Sequence, residues 1–439
     1  MENSSRSWFK ESITVKLIIV GVLTLLLLIP GKMIQNLIRE REETRSEVIS
    51  EINSKWGDEQ TITGPVITIP YKTWYKENKK LYSETDHLHF LPDQLEVTGT
   101  INPEIRYRGI YKVVVYNADL SIKGNFKNID LEGLSVEEEN ILWDQALFTT
   151  GITDMRGISK AVELSINNSE VDVNPGIPVK DLFHSGISSE IGTEEGSEIS
   201  FDLQLSINGS ESINFLPLGK TTDIDITSDW DTPSFMGAFL PDSREIDENG
   251  FHANWNILHL NRNYPQKWSN NQYKIEDSSF GVGLLLPVDQ YQKAERSVKY
   301  AIMFIGLTFL IFFFSEVLNR KRIHPIQYLL VGLALVVFYT LLIALSEHIG
   351  FSLSYLVSST LTISIIVLYY HTVIRKFQNT AVMALIMIAL YLFLFTTTQL
   401  QDYALLMGSI GLFVVISVIM YLSRNIDWYN PSNSKREKE

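Results

Sequence analysis

The pattern of apolar and polar positions changes character three times along this chain. Residues 13–34, ITVKLIIVGVLTLLLLIPGKMI, are apolar except for Lys16 and Lys32 near the two ends, where a lysine stem lies along apolar surface and keeps its ammonium in water. A run of this length predicts one membrane-spanning helix. Arg6 and Lys10 give it the basic start of a signal peptide, but the run is longer than an ordinary signal core and no small-x-small cleavage pattern follows, so it is read as a retained anchor. Residues 35–56 then place Leu37, Ile38, Val48, Ile49 and Ile52 among charges at helical spacing, as in an amphipathic stalk that ends at Gly57.

From residue 57 the period falls to two. TITGPVITIPY, QLEVTGTI, YKVVVYNADLSIKG, EISFDLQLSI and TTDIDIT alternate and favour β-branched residues, with Gly, Asn and Pro between them. They predict a large antiparallel β-rich domain over 57–296. GISKAVELSI fits either a helix or a strand, and 176–198, rich in Gly, Ser and Glu, reads as a surface loop. Apolar runs return near 298–318, 326–345, 350–370, 380–398 and 404–423, each close to the roughly 20 residues that ~30 Å of hydrocarbon requires. The expected fold class is a mixed membrane protein: an N-terminal transmembrane helix, an extracytoplasmic β domain, and a C-terminal bundle of five transmembrane helices.

Charge adds orientation to this picture. Arg320, Lys321, Arg322 and His324 fill the first break of the bundle, Arg375 and Lys376 the third, and Arg424, Lys435, Arg436 and Lys438 the tail, whereas the breaks around Glu347 and Asp402 hold no Lys or Arg. Basic breaks stay in the cytoplasm. Counting back through six spans then places both termini, 1–12 and 424–439, inside, and residues about 35–296 outside, in the periplasm where the cell has an outer membrane. The segment 42–290 carries roughly twice as many acids as bases, a surface that repels nucleic acid. The chain has no cysteine, which excludes thiolate catalysis, iron–sulfur clusters and Cys-ligated zinc. A middle domain of about 250 residues is large enough to bury a core without disulfides.

Several ordered strings carry a resemblance. They begin with Trp56-Gly57, Gln60 and Gly64-Pro65 after Arg39, Arg41 and Arg45, and continue with Asp154-Met155-Arg156-Gly157-Ile158, Trp230, Pro233-Ser234-Phe235 and Gly250-Phe251. They are densest at Phe280-Gly281-Val282, Pro287-Val288-Asp289-Gln290-Tyr291 and Lys299-Tyr300-Ala301. In the bundle they are Ile323-His324-Pro325-Ile326-Gln327-Tyr328, Ser346-Glu347-His348-Ile349-Gly350-Phe351 and Asp402-Tyr403-Ala404-Leu405-Leu406-Met407-Gly408-Ser409. In these the chain resembles the cell envelope integrity CreD family of bacterial inner-membrane proteins over nearly its whole length. The resemblance implies an inner-membrane location and a role in envelope integrity or envelope stress, without an established enzymatic activity, ligand or cofactor.

Candidate chemistry is sparse. Ser346-Glu347-His348 has the residue types of a nucleophilic triad, but adjacent side chains splay apart and a triad must converge in space; a polar cap at a span end is the preferred reading. Glu347 and His348 remain candidates for a polar site with Asp402 at the neighbouring break. Glu316 interrupts its span, and a local pairing with Arg320 at i+4 is preferred over a proton-relay role. His87-x-His89 puts two imidazoles on one strand face with no third ligand nearby in sequence, and both are read as surface histidines. Pro287 and Asp289 stand in the junction 280–300, where Asp289 is placed to cap the entering helix and to couple the β domain to the bundle. Pro233-Ser234-Phe235 and Pro287-Val288-Asp289-Gln290-Tyr291 are candidates for a recognition surface where the β domain meets the bundle, and ordinary turn and packing roles are the preferred reading of both. No Walker, Rossmann, GxSxG, HExxH or EF-hand pattern is present, so no cofactor is expected. The leading expectation is a non-enzymatic envelope protein whose partners are membrane lipids and envelope protein, wall or lipid components. A transporter or lipid-handling protein is the alternative, and a membrane enzyme acting through Glu347, His348 and Asp402 a third.

Overall fold

The computed structural model describes residues 13–134, 136–284, 286, 290–319, 321, 323–400 and 404–424. The chain forms two compact units, Met1–Thr44 with Val288–Glu439, and Arg45–Pro287.

The second unit is built on two sheets. One runs in the order Pro233–Gly237, Phe280–Leu284, Ser212–Phe215, Gln60–Glu77, Leu147–Ile152, Gly186–Glu190 and Asn174–Pro175, with Lys80–Phe90 also on Gln60–Glu77 and Lys267–Ser269 on Lys80–Phe90. The other runs Ser243–Asp247, Gly250–Leu258, Thr221–Ser228, Gln94–Arg108, Tyr111–Phe126, Ile199–Ser210, Glu163–Ile166 and Ser169–Glu170. The alternation seen in the sequence is the alternation of burial: Ile199, Phe201, Leu203, Leu205 and Ile207 enter the core while Ser200 and Gln204 stay outside, with Asp202 and Ser206 half-buried. Trp255, Phe280 and Phe148 are among the largest side chains buried in that core.

Two pairings depart from the antiparallel expectation, because Gln60–Ile62 runs parallel to Ile213–Phe215 and Thr221–Ser228 parallel to Gln94–Ile101. Period-2 patterning is identical in both directions, so strand direction is decided by connections the pattern does not contain. The expected loop 176–198 also contains a strand, Gly186–Glu190, whose Ile187, Ser188 and Ser189 are buried. Its serines hid it: Ser188 and Ser189 donate to the carbonyls of Gly176 and Asp172 at 2.9 and 2.7 Å, which makes polar side chains acceptable there. GISKAVELSI resolves as a strand, Glu163–Ile166.

The helical unit opens with α1 (Ile13–Leu26) and α2 (Leu28–Trp56), separated only by Leu27. From Val15 to Trp56 the helix covers 42 residues, more than a span of the hydrocarbon takes, and it passes from the first unit into the second at Arg45. Leu27 is buried, and a side chain on Gly332 would begin 2.2 Å from its Cδ1, a close approach of the kind small residues permit between membrane helices.

The remaining helices are α3 (Gln290–Lys299), α4 (Ala301–Asn319), α5 (Pro325–Ile349), α6 (Phe351–Ile374), α7 (Phe377–Gln399) and α8 (Ala404–Ser423). Among the described residues four helices are long and apolar enough to cross a membrane, Val15–Trp56, α5, α6 and α7; α3 and α4, bent by 45° at their junction, pass the same test as a pair. The sequence explains the ends of α5. His324 Nδ1 accepts from Ile326 N–H at 3.3 Å, Gln327 Oε1 accepts from His324 N–H at 2.8 Å, and Pro325 occupies the first turn. Gly350, at φ 78°, closes it.

Candidate functional site

The most elaborated polar site lies where α2 ends and the first strand begins. Gly57 N–H donates to Asn53 O at 2.8 Å, and at φ 150° a Cβ here would sit 2.6 Å from Asn208 O, so only glycine lets the chain turn. Gln60, fully buried, donates to Asp154 O and Asn208 O at 3.0 and 3.1 Å and accepts from Asp154 N–H at 3.1 Å. Arg156 makes a bidentate pair with Asp154, Nε to Oδ1 and Nη2 to Oδ2 at 2.8 Å each, while Nη1 reaches Ser54 O at 2.6 Å. The last of these satisfies a carbonyl at the end of α2 that has no helical partner. Asp58 N–H completes the shell of Asp154 at 3.1 Å. The Arg156 guanidinium holds the Asp154 carboxyl below the usual carboxylate range, against the opposing effect of burial. On the other side of the turn Trp56 donates its indole N–H to Tyr116 O at 3.2 Å and lies under the Arg106 guanidinium, 3.7 Å from the ring centre. Trp56, Gly57, Gln60 and Asp154–Arg156 are strings quoted for the family resemblance, but their convergence joins residues 94 to 148 positions apart, which no local pattern reveals.

Glu316 has partners that its neighbours in sequence do not suggest. It is buried, and its carboxylate takes Lys16 of α1 as ion partner and the Tyr328 hydroxyl of α5 at 3.0 Å. Arg320, the partner expected at i+4, lies outside the described residues. Lys16, read as a snorkelling residue, instead turns to Glu316 with its side chain one-third exposed. Tyr328 is fixed by edge contacts to Phe309 and Phe312.

At the far end of α5 the three polar neighbours diverge. Ser346 is buried and donates to Ile343 O at 2.8 Å, Glu347 accepts from Tyr291 of α3 at 3.1 Å and lies 3.9 Å from Arg41 of α2, and His348 is exposed. A carboxylate at a helix C-terminus meets an unfavourable dipole, which Arg41 offsets. Lys293 donates to Gln399 at 2.7 Å and lies over Phe351, and Lys299 pairs with Glu295, so these bases of α3 are engaged away from Glu347. Asp402, Pro287 and Asp289 lie outside the described residues.

The histidine pair requires a correction. His89 is buried, its Nδ1 3.0 Å from Thr68 Oγ1 and its ring against Trp268. Asp181, 92 positions beyond His89, stands 3.3 Å from His87 Nδ1 and 3.4 Å from His89 Nε2, the latter without hydrogen-bond alignment. The strand alternation placed both rings on one face but not the core beneath it. No group of three His, Cys, Asp or Glu among the described residues is arranged to hold a metal. Burial pushes the His89 imidazole down to about 4, against the pull of Asp181. The unfolded chain binds this proton near 6.5 and the native domain only near 4, so between those values the unfolded state holds more protons and stability is lost as the pH falls. A melt of the full chain followed by tryptophan emission should lose about 2–3 kcal/mol from pH 7 to pH 4 through this group, and His89→Gln should flatten that slope; an unchanged slope contradicts the assignment.

Several apolar helices of spanning length in one chain with a two-sheet β domain define a multi-pass membrane protein. The profile of the family described as Inner membrane protein CreD matches residues 12–429. The Inner membrane protein CreD of Escherichia coli (strain K12) is 35% identical over 416 residues, covering 92% of this chain and 91% of that protein. The chain therefore belongs to the CreD family of inner membrane proteins. Among solved structures, native yeast LTA4 hydrolase aligns with 51% of this chain and 35% of its own at 9% identity and a TM-score of 0.19, and its bestatin complex with 49% and 35% at 10% and 0.18. Scores that low carry no argument about fold or function.

Proposed function

We propose that this chain is a non-enzymatic membrane protein that supports envelope integrity or the response to envelope stress through a β domain on the periplasmic side. The chain has six spans, the N-terminal helix and a bundle of five, and both termini are cytoplasmic, as the bases Lys321, Arg375, Lys376 and Arg424 at alternate breaks support. One observation carries the reading: the Gln60, Asp154 and Arg156 node fastens the end of α2 to the β domain with more polar contacts than a simple tether needs, from the buried Gln60 out to the exposed Arg156. Such a fastening suits a domain that bears load from wall, lipid or protein partners. Arg156→Gln breaks the bidentate pair and the Ser54 contact at a largely exposed side chain. Cells carrying it should lose survival under envelope stress while immunoblots show unchanged abundance. Parallel loss of abundance and survival, or full survival, overturns the reading.

The Lys16, Glu316 and Tyr328 cluster favours a second reading, a transporter or lipid-handling protein, because ionisable groups inside a helical bundle often serve transport. Flux in proteoliposomes that disappears in Glu316→Gln would select it over the first. The enzyme reading has less support, since Glu347 is committed to Tyr291 and Arg41 while His348 points away.

A further inference from the structure

We infer that the tip of the Gln60–Phe90 hairpin is a docking element for an anionic phospholipid surface. Gln60–Glu77 and Lys80–Phe90 pair far beyond the body of their sheet, from Ile67↔Phe90 out to Glu77↔Lys80. Asn78 and Lys79, at φ 51° and 65°, make the tight two-residue turn. The described side chains from Lys72 to Thr85 are all exposed, although aromatic and aliphatic residues recur among them. Trp74 is 51% exposed and Leu81 58%, a degree that is unusual for side chains of that size on a well-formed strand.

The pleat sorts these residues. Lys72, Trp74 and Lys76 share one face with their partners Thr85, Ser83 and Leu81, and no carboxylate belongs to that set. The opposite face carries Tyr75 stacked on Tyr82, ring centres 5.8 Å apart, which stiffens the ribbon. Lys79 and Lys80 add two cations at the turn. Four lysines against the single acid Glu77 within nine positions make this tip net basic on a segment where acids outnumber bases roughly two to one.

Charge selects the occupant. The domain as a whole is acidic, so attraction falls to its basic tips, and at the other such tip Arg108 is paired with Glu51 and Arg106 with Glu104. Trp74 donates to Asn140 Oδ1 at 3.2 Å, beside the acidic turn Glu137–Glu139, which sets the inner limit of the contact at Trp74. Lysines around exposed Trp, Tyr and Leu match a bilayer interface, where ammonium groups meet headgroup phosphates and aromatic rings sit at the carbonyl level. A soluble polyanion would use the lysines and leave Leu81 and the rings without a role.

The chain has no cysteine, so Ser83→Cys on the Trp74 face supplies a single labelling site. The full chain with a polarity-sensitive fluorophore there is placed in phosphatidylcholine nanodiscs and in nanodiscs containing about 30% phosphatidylglycerol, and vesicles of both compositions are added to the first. Phosphatidylglycerol in at least one setting should shift the emission to the blue, make it quenchable by brominated lipid, and strengthen association at least about five-fold. Lys79→Gln with Lys80→Gln should remove most of that gain, and Leu81→Ser the quenching. Unchanged emission in every lipid, a gain that survives the double substitution, or an equal shift with soluble polyglutamate would overturn the inference.

Discussion

Arg262→Ala should destabilise the β unit by about 3–5 kcal/mol, because a buried cation that satisfies several carbonyls leaves all of them unpaired when removed. Arg262 is 8% exposed, and its hydrogen bonds among the described residues go to carbonyls and an amide rather than to a carboxylate. Its Nη1 donates to Tyr264 O at 2.6 Å, its Nη2 to Leu218 O at 3.0 Å and Gly219 O at 3.3 Å, and it also holds the Gln266 side chain. The guanidinium lies 4.2 Å from the Tyr264 ring centre. Burial pushes its pKa down to about 10, so it is still charged at neutral pH. Six of the eight tryptophans fall between Trp56 and Trp268, and tryptophan emission of the full chain therefore reports this unit. Its midpoint should drop by about 10 °C, and Arg262→Lys should not rescue it, since one ammonium cannot span the same carbonyls. A shift below about 2 °C would show that the carbonyls find other donors.

Lys16→Met should loosen the helical unit by about 2–3 kcal/mol, the cost of leaving Glu316 buried beside Tyr328 without its cation. The value is below that of a fully enclosed pair because the lysine side chain is 32% exposed. Adding Glu316→Gln should restore more than half of the loss, since a neutral amide still accepts from Tyr328; this non-additivity identifies a direct pair. Thermal aggregation in detergent measures it, with tryptophan emission expected to stay unchanged. Additive losses would mean that Lys16 and Glu316 act separately.

Those two clusters also show what was legible in the sequence. Elements with a clear period were readable: the helices α4 to α8 occupy the five apolar runs, and strands such as Ile199–Ser210 bury the residues that alternate. Local chemistry misled where tertiary partners replaced neighbours. For Glu316 the sequence offers Arg320 four positions on, which lies outside the described residues, while the cation the structure gives it, Lys16, comes from 300 positions earlier. His89 was read as a surface residue because a strand pattern identifies a face and not what covers it, here Trp268 and Thr68. The strand Gly186–Glu190 escaped notice because its buried serines resemble loop composition. Of the α2 node, each short string was noticed separately, but the bonds that join Gln60 to Asp154 and Asn208 depend on the fold of the whole domain.

The orientation of the β domain is the claim on which the functional account depends most, and the absence of native cysteine makes it directly measurable. Asn249→Cys places a thiol in the exposed turn between Ser243–Asp247 and Gly250–Leu258, and Lys376→Cys places one between α6 and α7. Intact cells, with the outer membrane permeabilised where there is one, are treated with a membrane-impermeant maleimide before and after lysis. The account predicts labelling of Asn249→Cys in intact cells and of Lys376→Cys only after lysis. The reverse pattern, or equal labelling of both in intact cells, would contradict it.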